Sequence, residues 1–153
     1  MVFSYFAAFG AADLDAILSY HADEAAYLPA GLPTVPGKEA NADVYRQTLA
    51  SIRILPGARS TAEDVIGIGG FAWVRTDSHA DVVDLSTGEQ SAQRIREIVL
   101  LRNSSQSWKI WRYMFNTVDG NENRPTPLRD GAPAWECAGG GVAAYVDIAC
   151  TAA

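Results

Sequence analysis

Ser107-Trp-Lys-Ile-Trp-Arg-Tyr-Met-Phe-Asn116 carries two of the four Trp of the chain together with a Tyr and a Phe, and neither Gly nor Pro interrupts it. Aromatic and β-branched density of this kind suits a pleated, half-buried surface better than a helix. Immediately upstream, Asn103-Ser-Ser-Gln106 is a short polar turn, and before it Glu97-Ile-Val-Leu-Leu-Arg102 is an equally apolar strand. Two long strands with a tight polar connection predict a hairpin on which the rest of the chain packs.

Outward from that hairpin, the same period-2 pattern runs back through 90–103, a long strand 71–83 and a strand 62–68, separated by the turn residues Gly69-Gly70 and by 84–89. Before Ala62 the period is helical. Val2 to Phe9 is an apolar helix closed by Gly10, and Asp13 caps a second helix from Leu14 to about His21. A short strand 25–28 leads into Pro29–Gly37, whose three Pro and two Gly predict an irregular loop. A third helix follows from Lys38 to about Ser51. The order predicts an α+β fold: a mostly antiparallel, strongly bent sheet with three helices on its concave side and a cone-shaped space between the layers. This domain spans residues 1–117. Residues 118–153 form a C-terminal extension of different composition, either disordered or folded back over the pocket mouth or a partner subunit.

At 153 residues and a formal charge of −6, the chain is one domain without the basic patches that nucleic acid or an anionic membrane requires. It has no run of about 18 apolar residues that would span a bilayer. The N-terminus lacks a basic, continuously apolar signal segment, so a cytoplasmic protein is expected. Cys137 and Cys150 have no CxxC spacing and no neighbouring His, which argues against a metal site; reduced thiols and a disulfide both remain open.

Tyr5-Phe-Ala-Ala-Phe-Gly-Ala-Ala-Asp-Leu-Asp-Ala-Ile-Leu-Ser-Tyr-His-Ala-Asp-Glu-Ala25, Pro36-Gly-Lys-Glu-Ala40, Trp108-Lys-Ile110 and Met114-Phe-Asn116 together resemble the SnoaL-like, nuclear-transport-factor-2-like superfamily. The resemblance covers about three quarters of the chain. It implies the cone-shaped barrel, a deep pocket and frequent homodimers through the sheet. It does not imply one activity, because ketosteroid isomerases, scytalone dehydratases, limonene epoxide hydrolases and polyketide cyclases share the fold with non-catalytic binding modules.

Glu97 shares strand parity with Ile95, Val99 and Leu101, so it is the single carboxylate of an apolar row. Burial disfavours its charged form, which would suit a general acid or base; pairing with Arg94, Arg75 or Arg112 would make it structural. The odd row of strand 71–83 brings Trp73, Arg75, Asp77, His79 and Asp81 to one face. Facing the cone, Asp77 and His79 would form an acid–base set and Arg75 would stabilise negative charge; facing out, the row is ordinary solvated surface, the commoner case. In the last strand Lys109 marks one row as outward, which puts Trp108, Ile110, Arg112, Met114 and Asn116 inside. A single bulge would exchange Arg112 for Tyr113, so both stay candidates, the latter as a hydrogen-bond donor to a carbonyl or enolate. On the helix side stand Tyr20, Tyr27, Tyr45 and His21; a helix C-terminus would favour the charged form of His21. The pocket walls expected are Tyr27, Trp73, Trp108, Met114, Asn116 and Tyr45.

Nucleophile elbows, phosphate loops and two-His metal spacings are all missing. The reading is a cofactor-independent isomerase, cyclase or dehydratase that moves a proton on a small, apolar, oxygenated, ring-bearing molecule such as a secondary metabolite. A binding or dimerisation module of the same fold is the alternative. Epoxide opening by a carboxylate-activated water is a weaker third.

Overall fold

The computed structural model describes residues 1–104 and 107–118. The expectations for the C-terminal extension and for its two cysteines lie outside the described residues. Helix α1 (Val2–Gly10) buries Val2, Tyr5 and Ala8, three residues apart along one stripe. Helix α2 (Leu14–Ser19) starts where the Asp13 carboxylate accepts the Ala16 amide at 2.9 Å, and it buries Ile17. It ends before His21, because His21 already pairs with Ile110 as the first residue of strand β1 (His21–Leu28). The Pro-rich loop is less irregular than its composition suggests: Val35–Pro36 forms a short strand β2 against β1. Gly37 then turns the chain into α3 (Lys38–Ser51) with φ 83°, a left-handed angle open to glycine at no steric cost. Asn41 and Tyr45, one turn apart, are the buried residues of α3.

The remaining strands are β3 (Ile52–Ile54), β4 (Arg59–Ile68), β5 (Phe71–Asp84), β6 (Gln90–Ser104) and β7 (Ser107–Thr117). The three-residue β3 is too short to show a period in sequence. The sheet runs β2-β1-β7-β6-β5-β3, with β4 also on β5. β1 and β7 are parallel and the other pairs antiparallel. β5 changes partner along its length, pairing with β4 up to His79 and with β3 from Val82. The result is a strongly curled mixed sheet, a half-barrel with three helices in its hollow.

One irregularity decides which side chains face that hollow. In β6–β7, Leu100 opposes Arg112 while Leu101 opposes Ile110, so Trp111 is the extra residue of a bulge. Ile110, Tyr113 and Phe115 therefore face inward, beside Glu97, Val99 and Leu101. Arg112, Met114 and Asn116 face outward, the reverse of the simple alternation. The core between helices and sheet is built on Tyr5, Ile17, Tyr45, Val99, Ile110 and Tyr113. Among the described residues, no helix is long and apolar enough to cross a membrane.

Candidate functional site

Between the helices and the inner sheet face lies a cavity of about 390 Å³, within the size range of small-molecule sites. One part of its wall is aromatic: Tyr5, Phe6 and Phe9 from α1, Tyr45 from α3, Tyr27 from β1, Tyr113 and Phe115 from β7. Tyr27 is stacked on Tyr45 at 5.5 Å, on Tyr113 at 5.3 Å and on Phe115 at 5.9 Å between ring centroids. Tyr27 is thus the centre of a packed aromatic cluster beside the cavity.

Glu97 is the acid of this cavity. β6 holds it inward in the apolar row, and it is 4 % exposed. Its Oε2 accepts from the Thr76 and Ser78 hydroxyls, the latter at 2.8 Å. Its Oε1 accepts a longer bond, 3.4 Å, from the Tyr113 hydroxyl. Among the described residues, no cation is among its partners. Each arginine that could have neutralised it is engaged elsewhere: Arg94 with Asp77, Arg75 with Glu63 and Asp64, Arg112 with the Glu24 and Trp111 carbonyls. Burial pushes the Glu97 carboxyl above its ordinary range, against the opposing pull of the three hydroxyl donors. Such a carboxyl keeps its proton to a higher pH than an exposed one.

A second polar chain runs behind the aromatic wall. His21, 2 % exposed, turns Nδ1 to the Ile17 carbonyl at 3.0 Å, an acceptor that places the ring hydrogen on Nδ1. Nε2 then accepts from the Tyr45 hydroxyl at 3.1 Å, and the Tyr45 oxygen lies 2.9 Å from the Tyr5 hydroxyl. Burial lowers the His21 pKa to about 4, outweighing the helix-end carbonyl that favours its charged form. The expected charged histidine is thus a neutral one. Burial likewise raises the phenols of Tyr5, Tyr27, Tyr45 and Tyr113. The Tyr27 hydroxyl has no hydrogen-bond partner among the described residues, and it borders the cavity as a free neutral donor.

The structure thus brings Glu97, Tyr113, Tyr27 and Tyr45 together. His79 also reaches the cavity wall, and the others lie away from it. Trp73 and Arg75 stand on the outer sheet face, opposite the buried Val74, Thr76 and Val82 of the even row, while Asp77 shares their parity and is itself 9 % exposed. Arg75 is held by Glu63 and Asp64, and Trp73 is 38 % exposed. The Arg94 guanidinium, 2.9 Å away, holds the Asp77 carboxyl below its usual range. His79 borders the cavity, yet its Nε2 is 3.0 Å from Asp77. Arg112 lies over the Trp111 ring at 3.9 Å. Met114 and Asn116 are exposed on the outer face, and Trp108, 37 % exposed, does not border the cavity. Sequence reasoning missed Tyr5, Thr76, Ser60 and Ser78; the polar interruptions Thr76 and Ser78 in an otherwise apolar row were the available signal. Among the described residues, no cluster of His, Cys, Asp and Glu could hold a metal ion.

Among solved structures, a ketosteroid isomerase-like protein from Erwinia carotovora atroseptica SCRI1043 is 24% identical with a TM-score of 0.73, over 77% of this chain and 91% of that one. A protein from Streptomyces avermitilis, provisionally described as a dehydratase from the NTF2-like family, is 18% identical (TM-score 0.63, over 75% and 90%). Another from Thiobacillus denitrificans ATCC 25259, provisionally described as a calcium/calmodulin-dependent protein kinase type II association domain, is 17% identical (TM-score 0.64, over 76% and 90%). At these identities the likeness speaks for the fold alone. No curated protein matches the chain. Residues 2–113 match the family described as the SnoaL-like domain, a span that takes in every element from α1 into β7 and the whole set of cavity residues up to Tyr113. The chain is a member of the SnoaL-like domain family, with the NTF2-like fold.

Proposed function

We propose that the protein is a cofactor-independent enzyme that isomerises, cyclises or dehydrates a small, neutral, oxygenated, ring-bearing molecule by moving a proton inside the cavity. The carrying observation is Glu97, a buried carboxyl in an aromatic cavity with neutral hydroxyls as its partners. In this reading Glu97 takes a proton from carbon and returns it elsewhere, while the unpartnered Tyr27 hydroxyl donates to the substrate oxygen on which negative charge develops. Tyr113 holds Glu97 Oε1 and packs against the substrate ring through the aromatic wall. A binding module of this fold would be expected to pair its interior charges with one another and close its cavity. The open cavity, and the absence of a cation beside Glu97 among the described residues, favour turnover. The same reading includes a homodimer through the outer sheet face.

The test is hydrogen exchange at carbon in D₂O, followed by NMR across a panel of neutral cyclic ketones. Glu97→Gln should lower the rate by about 100-fold or more while leaving fold and ligand affinity in place. Exchange that continues undiminished in this variant would remove Glu97 from the chemistry.

A further inference from the structure

The two hydroxyls on Glu97 Oε2 are not equivalent. Thr76, fully buried, has Glu97 as its partner among the described residues and is a fixed donor. Ser78 has a second neighbour: its Oγ lies 2.8 Å from Glu97 Oε2 and 2.8 Å from Ser60 Oγ, directly across the β4–β5 pair. A serine carries one hydrogen, so Ser78 cannot donate both ways. With Glu97 ionised, the sole consistent arrangement is Ser60 donating to Ser78 and Ser78 to the carboxylate. With Glu97 protonated, the direction can reverse, Glu97 donating to Ser78 and Ser78 to Ser60. Ser60 sits on the edge strand β4, half-buried, beside the exposed Ala58 and Arg59, which also border the cavity.

Building on the proton-transfer reading above, we infer that Ser60, acting through Ser78, is a positioning residue for Glu97 and that the two serines form its proton path to solvent. Glu97 is 4 % exposed, and Ser78 and Ser60 line the same cavity toward its exposed Ala58–Arg59 rim. The serine pair supplies a route along the sheet. The Glu97 Oε2–H bond breaks as Ser78 takes that proton, the original Ser78 hydrogen passes to Ser60, and the Ser60 hydrogen passes to a water at the edge. Both hydroxyls are restored, and the products are a carboxylate and a hydronium ion. The reverse sequence reloads the acid. An isomerase with such a path exchanges the transferred hydrogen with solvent, and a dehydratase resets its acid between turnovers.

Two readouts on the full chain test this. The first needs no substrate: the side-chain carboxyl of Glu97 is titrated by carbon-13 NMR, with Glu97→Gln for assignment. Ser78→Ala should raise the titration midpoint by removing a donor to the ionised form. Ser60→Ala should raise it by a smaller amount, although Ser60 does not touch Glu97, and Ser60→Thr should restore it. A Ser60→Ala midpoint equal to that of the wild type overturns the positioning role. The second follows deuterium wash-in to β-tetralone in D₂O, where Ser60→Ala should lose severalfold in incorporation at unchanged KM. Equal incorporation overturns the path. If Glu97→Gln exchanges this ketone as fast as the wild type, the proton-transfer reading falls instead, and the titration still judges the serine pair.

Discussion

Glu97 and His21 are both buried titratable groups whose charged forms are disfavoured, and they shape the pH dependence of stability in opposite directions. His21 has its pKa lowered from an ordinary 6.5 to about 4. The unfolded chain therefore binds the extra proton first, and stability that is complete above pH 6.5 is lost as the pH falls toward 4. The loss is on the order of 3 kcal/mol. Glu97 is raised above its ordinary 4.5, so the folded state holds its proton longer than the unfolded chain. Its contribution is complete below 4.5 and is lost as the pH rises through the elevated value. Denaturant titrations at a series of pH values should show the acid-side loss flattened in His21→Gln and the loss above the ordinary carboxyl range flattened in Glu97→Gln. Unchanged slopes in either variant would contradict the burial described for that residue. The inward position of Glu97 was legible because Ile95, Val99 and Leu101 mark its row without ambiguity. The state of His21 was not, because a helix-end argument gives the sign of one effect while the larger one, burial, comes from Tyr5, Tyr45 and Ile17 packed around it.

At the scale of the element, β7 is the strand whose facing alternation could not decide. Trp, Ile and Met occupy one row and Trp, Tyr and Phe the other, so both faces look apolar, and a bulge leaves no residue type as its mark. The consequence is measurable. Ile110→Ala should destabilise the domain by about 2–5 kcal/mol as a buried truncation. Met114→Ala should stay within about 1 kcal/mol, because Met114 is 43 % exposed. Thermal or denaturant unfolding of the two variants checks this, and a larger loss at Met114 would restore the simple alternation. The other elements were easier to read. The four long strands and three helices have clear periods and turn chemistry, whereas β2 and β3, at two and three residues, exist because a neighbouring strand offers them partners.

At the scale of the whole molecule, the curled sheet has two faces with different tasks. Its hollow side holds the cavity. Its outer side exposes Phe71, Trp73 and Met114, at 48, 38 and 43 %. Apolar exposure of this kind on a sheet suits self-association. On the proposed homodimer, the wild type should run as a dimer in light scattering and the Trp73→Glu, Met114→Glu double variant as a monomer, with fold retained. A wild type that is monomeric at all concentrations would sink the dimer. The aromatic wall has a further consequence at the alkaline end. Among the described residues four tyrosines, at positions 5, 27, 45 and 113, are buried with their phenols raised above the ordinary 10. Phenolate absorbs in the near ultraviolet where phenol does not, so these side chains stay optically silent while the domain is intact. Burial opposes their ionisation for as long as the cavity is intact. The absorbance of the protein in base is therefore a clock of its own unfolding, read without any added dye.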